Sequence, residues 1–266
     1  MMNETLRFYV PIPAFETHME ITAGPELARQ MQSVLRLRPN DEVILINGAG
    51  SACVARIQAF TGRAAQLLVE QLLLLQTEPP ITVRLYQGML KSAKFEWIIQ
   101  KGTEIGVTAF IPVISEHSIK GLDEVSSTKK QRWRSIAIEA MEQSGRSTLP
   151  AIEEPAPFQQ ALQSAAKHCN ATFLAWEESG KQQRTTGNYK EKSGFQPALA
   201  NVIQYTQVER LVIALFIGPE GGFSELEVQM AQAAGAKIVS LGPRILRAET
   251  AAIAAAILTI SACGGM

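Results

Sequence analysis

Apolar positions along this chain repeat with two different periods, and the change falls near residue 75. Before it the apolar runs are short and rich in Val, Ile and Leu. RFYV (7–10) reads as a strand, and DEVILINGAGSACVARIQAF (41–60) reads as two strands folded back across Asn47-Gly48-Ala49-Gly50, a strong hairpin signal. AAQLLVEQLLLL (64–75) adds another. One helical pattern interrupts them: in PELARQMQSVL (25–35), Leu27, Met31, Val34 and Leu35 share a face, and Pro25 suits a first turn. Residues 1–75 are thus expected to form a small, mostly β barrel.

LQTEPP (75–80) reads as a linker, after which strands alternate with helices. ITVRLYQGM (81–89) is a strand, and KSAKFEWIIQKGTEIGV a helix with Phe95, Ile98, Ile99 and Ile105 inward, closed by Gly106. AFIPVIS is a second strand. TKKQRWRSIAIEAMEQSGR is a long helix closed by Gly145, and PFQQALQSAA a shorter one opened by Pro157. TFLAWEE and LVIALFI are buried-strand runs. VQMAQAAG, KIVSLG and AETAAIAAAILTISA supply a helix, a fifth strand and the last helix. This alternation predicts an α/β domain over 76–266 with a mostly parallel sheet, helices on both faces and any ligand at the carboxyl ends of the strands. The polar stretch 178–209 has linker composition in its first half and a short helix in its second.

Composition adds exclusions. Lys and Arg total 25, as do Asp and Glu, so no global field draws the chain to nucleic acid or acidic lipid, and any RNA site must be local. The densest basic run is KKQRWR (129–134), equally readable as a solvated helix start. No apolar run reaches the roughly 18 residues of a membrane span, and the first residues lack signal-peptide character. Three scattered cysteines argue against a disulfide framework, and three histidines show no metal-binding spacing, so a cytoplasmic protein without metal is expected.

Two loops carry candidate chemistry. FIGPEGGFSELE (216–227) ends a strand and opens a helix at once: Gly218, Gly221 and Gly222 permit positive φ or close backbone approach, and Ser224 with Glu227 forms a capping box. It is neither a Walker loop nor GxGxxG, and the acid Glu220 would repel a phosphate, which favours a neutral or cationic ligand. Taken alone, it is also readable as a plain connecting turn. The second loop, SLGPRILRAET (240–250), follows the fifth strand with another Gly-Pro, then Arg244, Arg247, Glu249 and Thr250. The alanine-rich helix behind it shows no charge after Thr250, predicting burial on all sides, including against a partner subunit. Core packing explains the alanines equally well, and a helix-end salt bridge Arg247 and Glu249.

Four motifs in order, KSAKFEWIIQKGTEIGV, EAMEQSGRSTLP, FIGPEGGFSELE and LGPRILRAETAAIAA, resemble the RsmE-type 16S rRNA (uracil-N3)-methyltransferases of the SPOUT superfamily. RFYV and VLRLRPNDEVILINGAG resemble that family's PUA-like barrel, so the likeness covers nearly the whole chain. Two features depart from it: ARQMQS stands where a histidine-containing stretch is common, and 178–209 is long. The resemblance implies a SPOUT-type α/β knot, a parallel sheet with a C-terminal trefoil knot, and S-adenosyl-L-methionine bound by Ile217, Gly218, Pro219, Glu220, Gly221, Gly222, Leu241, Gly242, Ile245, Leu246, Arg247 and Thr250. It implies a homodimer, and a 16S rRNA substrate within the 30S subunit. Arg7, Arg36 and Arg38 of the barrel become candidates for RNA docking.

Methylation at uracil N3 removes a proton and leaves charge on O2 and O4, so the site needs a base or cationic donors. Arg247 is the first candidate for holding that charge and Arg146 the second. Glu249 is placed either to accept the proton or to orient an arginine. Two rival functions are a SPOUT enzyme acting on tRNA or another rRNA base and a non-catalytic RNA-binding protein. The barrel-first order and EQSGR speak against the first, and the intact glycine loops against the second.

Overall fold

The computed structural model describes residues 6–118, 125–177 and 194–266, so the first half of the polar segment lies outside the described residues. The chain forms two compact units. One takes the residues up to Glu78 together with Ile138–Leu149; the other takes Pro79–Ala137 and Pro150–Met266.

The first unit is built on a five-stranded sheet in the order β1-β3-β4-β5-β2: β1 (Arg7–Tyr9), β2 (Glu20–Ala23), β3 (Glu42–Ile46), β4 (Ala52–Thr61) and β5 (Ala64–Leu73). All pairings are antiparallel except β1 with β3. The hairpin from β3 to β4 is set by Asn47, whose carboxamide oxygen accepts from the amides of Ala49 and Ser51, both at 2.9 Å, while Gly48 takes a positive φ of 71°. Strand β2 is absent from the sequence reading, since four residues are too few to show a period. Its burial alternates cleanly, Ile21 and Ala23 facing inward. Pro25 starts helix α1 (Pro25–Arg29), which continues as a wider turn, Gln30–Val34, and brings Met31 to full burial beside Phe8, Val43, Leu45, Ile57 and Leu67.

Within this unit the Glu142 carboxylate accepts from the Tyr9 amide at 2.6 Å. Burial pushes the Glu142 carboxyl up; the Tyr9 amide partly opposes this and Glu139 adds to it. A carboxyl raised by folding favours the folded state most at acid pH, below the ordinary glutamate value, and that advantage is lost as pH rises through the folded-state value. Glu142→Gln keeps an acceptor for Tyr9 and removes the charge. It is expected to unfold at higher denaturant than wild type at neutral pH, with the difference vanishing below about pH 4, as urea titrations at both pH values would read out.

The second unit has a seven-stranded sheet in the order β12-β10-β11-β6-β7-β8, with β9 also on β7, every pairing parallel. The strands are β6 (Thr82–Gly88), β7 (Ala109–Ile114), β8 (Ala151–Ile152), β9 (Ala156–Pro157), β10 (Ala171–Ala175), β11 (Val212–Ile217) and β12 (Lys237–Val239). Helices α2 (Ser92–Ile105), α3 (Ser127–Ser144, counted here only up to Ala137), α4 (Phe158–His168), α5 (Phe195–Tyr205), α6 (Glu225–Ala233) and α7 (Ala248–Ala262) fill the connections. The expected helix in the second half of the polar stretch is α5. Gly106 and Gly145 close α2 and α3 at positive φ, 107° and 77°.

Alternate strand residues face opposite ways. Tyr86, Ala214, Phe216 and Leu174 pack with Phe158, Ala161 and Leu162 of α4 and Val228 and Ala231 of α6. Tyr86 stacks on Phe216 at 4.4 Å between ring centres, an arrangement worth about 0.5–1.5 kcal/mol beyond area burial. Phe173, pointing the other way, meets Phe195 of α5 edge-on at 5.3 Å. Helix α7 lies with α2 and α5 against β6 and β11. Within the single chain its burial is one-sided. Ala252, Ala255, Ala256, Thr259 and Ile260 are buried, whereas Ile253, Ala254, Ile257 and Leu258 are half-exposed, because among the described residues the sheet and neighbouring helices cover one side.

Candidate cofactor and substrate site

Parallel pairing brings the carboxyl ends of the strands to one level: Ala175 lies beside both Ile217 and Val239, and Ile217 beside Gln87. Beyond that level lies a cavity of about 590 Å3, within the range of small-ligand sites. Segments following β6, β7, β10, β11 and β12 all contribute to its wall, through Lys94, His117, Trp176, the glycine loop and the second Gly-Pro loop. The loops after β11 and β12 meet there although β10 separates their strands.

Close backbone approach explains the glycines. The Gly222 amide donates to the Pro219 carbonyl at 2.9 Å, and Gly222 has a φ of 70°, folding Pro219–Gly222 into a tight turn. A Cβ on Gly218 would lie 3.0 Å from the Gly222 backbone, and one on Gly221 2.8 Å from the His117 Cβ. Below the loop, Gln87 is fully buried with its carboxamide nitrogen within 3.1–3.3 Å of the carbonyls of Gly88, Ile217 and Gly218. In the second loop Gly242 has a φ of 121°, and the Ser240 hydroxyl both accepts from the Gly242 amide and donates to its carbonyl.

The capping box at α6 is formed as its spacing predicted: Ser224 Oγ accepts from the Glu227 amide and Glu227 Oε2 from the Ser224 amide. Glu227 also does something the sequence did not reveal. Its Oε1 accepts from the Glu116 amide at 2.9 Å, tying the loop after β7 to the glycine loop.

The expected cofactor residues Ile217, Gly218, Pro219, Glu220, Gly221, Gly222, Leu241, Gly242, Ile245, Leu246 and Arg247 all line the cavity. Thr250 does not; it is exposed on the first turn of α7. Arg247 is exposed at the wall. Glu249 lies behind it, with Oε2 buried, lacking a hydrogen bond, and 3.8 Å from Lys94 Nζ, which also meets Glu220 at 3.1 Å. Arg146 belongs to the first unit, where it is 2% exposed and ion-paired with Glu78 at 2.7 Å; it does not line the cavity. Arg36 and Arg38 are exposed, and Arg7 is half-buried with its Nε lacking a hydrogen-bond partner among the described residues.

Lys94, His117, Trp176, Gln87 and Glu227 were missed as site residues. Gln87, His117 and Trp176 share one legible signal: each falls at or just past the carboxyl end of a predicted parallel strand. Lys94 sits one turn into the helix after such a strand.

The ends of the parallel strands thus bring two glycine loops and side chains of both charges around one cavity. Residues 77–260 match the RNA methyltransferase domain family, and residues 31–70 the RNA methyltransferase PUA domain family. The chain is 34% identical to ribosomal RNA small subunit methyltransferase E of Bacillus subtilis, over 85% of this chain and 84% of that one. It is similar to a Neisseria gonorrhoeae ribosomal RNA small subunit methyltransferase E solved with S-adenosyl methionine, with a TM-score of 0.77, 29% identity and coverage of 97% and 96%. A Legionella pneumophila putative methyltransferase with the same cofactor bound superposes with a TM-score of 0.80, 27% identity and coverage of 97% and 98%. The chain belongs to the ribosomal RNA small subunit methyltransferase E family.

Proposed function

We propose that this protein transfers a methyl group from S-adenosylmethionine to N3 of a uridine in 16S rRNA within the 30S subunit. The observation that carries this reading is the cavity at the strand ends, walled by two glycine loops with Glu220, Lys94 and Arg247 around it. S-adenosylmethionine is the cofactor, and the residues fit it. Carboxylates suit its cationic groups, and arginines its carboxylate.

When bound, the cofactor supplies an electrophilic methyl group. The chain's own residues position and stabilise. Backbone of Gly218–Gly222 and Leu241–Leu246 holds the ligand, and apolar Ile217, Leu241 and Ile245 exclude water. Arg247 faces the developing charge on the uracil carbonyl oxygens. Glu249, behind the wall and facing Lys94, orients the loop that carries Arg247.

Three finer features complete the reading. The two loops are sides of a trefoil knot, supported by their meeting across β10 and by the thin alanine-rich α7. The enzyme is a homodimer, supported by the uncharged half-exposed strip Ile253, Ile257 and Leu258. The first unit, with exposed Arg36 and Arg38, docks RNA phosphates.

Labelled S-adenosylmethionine with 30S subunits lacking the modification, followed by nucleoside analysis, tests the reading. 3-Methyluridine is expected. Cofactor binding with label in another nucleoside, or in none, would overturn the substrate assignment.

A further inference from the structure

The resemblance and the loop chemistry leave open which group removes the N3 proton. Glu249 is poorly placed: it is not part of the cavity wall, its Oε2 is buried, and Lys94 faces it. Glu220 is held by the same lysine. His117 is different. It lines the cavity from the loop after β7 and is exposed there. Its Nδ1 lies 3.3 Å from the Gly222 carbonyl. A carbonyl oxygen only accepts, so in this contact Nδ1 carries the hydrogen, and the neutral ring then has its lone pair on Nε2.

The seat of this ring is built by its neighbours. The Glu227 carboxylate grips the Glu116 amide, Ser115 and Ser118 close the turn around it, and Gly221 has no side chain, so the histidine rests directly on the glycine loop. We propose that His117 Nε2 is the general base that accepts the uracil N3 proton. This rests on the uridine N3 reading above.

In the step, the N3–H bond breaks and its proton passes to Nε2. The N3 electron pair forms the bond to the methyl carbon, and the carbon–sulfur bond breaks with its pair returning to sulfur. The imidazolium then releases its proton to water. Charge balances: the sulfonium charge that is lost leaves as one proton.

Imidazole suits this better than the exposed carboxylates of Glu177 and Glu225 at the cavity edge. The best base has a basicity near the working pH, and the unperturbed values are about 6.5 for imidazole and about 4.3 for a glutamate. The charged groups sharing the cavity wall with the ring are Glu177 after β10, Glu220 on the glycine loop, Glu225 on α6, Lys94 on α2, and Arg244 and Arg247 on the second loop, with Glu116 next to it in the chain and Glu227 bonded to the Glu116 amide.

Glutamine at 117 is the decisive substitution, because its amide still donates to the Gly222 carbonyl but cannot take up a proton. His117→Gln is expected to lower the single-turnover rate on the order of 10²-fold, as the loss of a general base does, with S-adenosylmethionine affinity by calorimetry unchanged within about threefold. The acid limb of the wild-type pH–rate profile is expected to vanish, and 16S rRNA carrying 5-fluorouridine, whose N3 is more acidic, should recover much of the rate. In the ligand-free protein, histidine 15N NMR should show the resonance that His117→Gln removes as the Nδ1–H tautomer.

A glutamine variant as fast as wild type, an unaltered acid limb or the opposite tautomer would each overturn the assignment of His117. Failure of wild type itself to make 3-methyluridine would instead overturn the substrate reading.

Discussion

Arg247→Ala is expected to reduce methyl transfer to 30S subunits by about 10²–10³-fold, the loss typical of one donor aimed at a developing oxyanion, while S-adenosylmethionine still binds. Arg247 is the N-cap residue of α7, in extended conformation, and lines the cavity directly after Ile245 and Leu246. It carries no charge-neutralising partner as close as that of Lys94, whose ammonium lies 3.1 Å from Glu220. Negative charge reaches the uracil oxygens only as the proton leaves, so a cation there acts on the transition state more than on the ground state. Single-turnover kinetics beside cofactor calorimetry separates the two. A rate loss matched by an equal loss of cofactor affinity would reassign Arg247 to holding the cofactor. Arg247→Lys should recover little, since an ammonium lacks the planar fork that meets a carbonyl at fixed geometry.

Gly88→Ala is expected to damage both stability and cofactor binding in the second unit. The added Cβ would lie 2.5 Å from the Pro219 nitrogen and Cδ and 2.9 Å from the Gly218 carbonyl carbon. These are backbone and ring atoms, so no rotamer change relieves the clash, and the glycine loop has to move. Forced overpacking of this kind costs about 1–3 kcal/mol, or about 2–4 °C in Tm for each kcal/mol in a domain of this size. The displaced loop should also lose at least tenfold in S-adenosylmethionine affinity. Gly24→Ala is the control: nothing lies within 4 Å of its Cβ and its φ is −70°, so it should shift Tm by under about 3 °C. Wild-type cofactor affinity in Gly88→Ala would show that the loop tolerates displacement.

Gly88 also marks where sequence reading stops. Unlike Gly218, Gly221 and Gly222, Gly88 carries no local signal, because LYQGM reads as an ordinary strand end. Its need for glycine comes from Pro219, 131 residues away, through the pairing of β6 with β11. Gln87 is hidden for the same reason, bonded to carbonyls on the neighbouring strand. Glu227 was legible as half of a capping box, a local pattern, but not as the acceptor for Glu116, a contact across 111 residues. The spacing of His117 from the other histidines carries information on chain neighbours alone, whereas its partner is Gly222 on another strand's loop.

The sequence by itself determined the local structure: the helices and five longer strands of the second unit though not the two-residue β8 and β9, the glycine caps of α2 and α3, the Asn47 hairpin, the capping box and the two ligand loops with their family. Each depends on residues within a few positions of one another, where backbone geometry and side-chain period decide. Tertiary structure alone decided that β10 lies between the strands bearing those loops, that Arg146 pairs with Glu78, and that Lys94 and His117 belong to the cavity wall. Those contacts depend on strand order and register, which sum weak preferences over the whole chain and leave no mark in any short stretch of it.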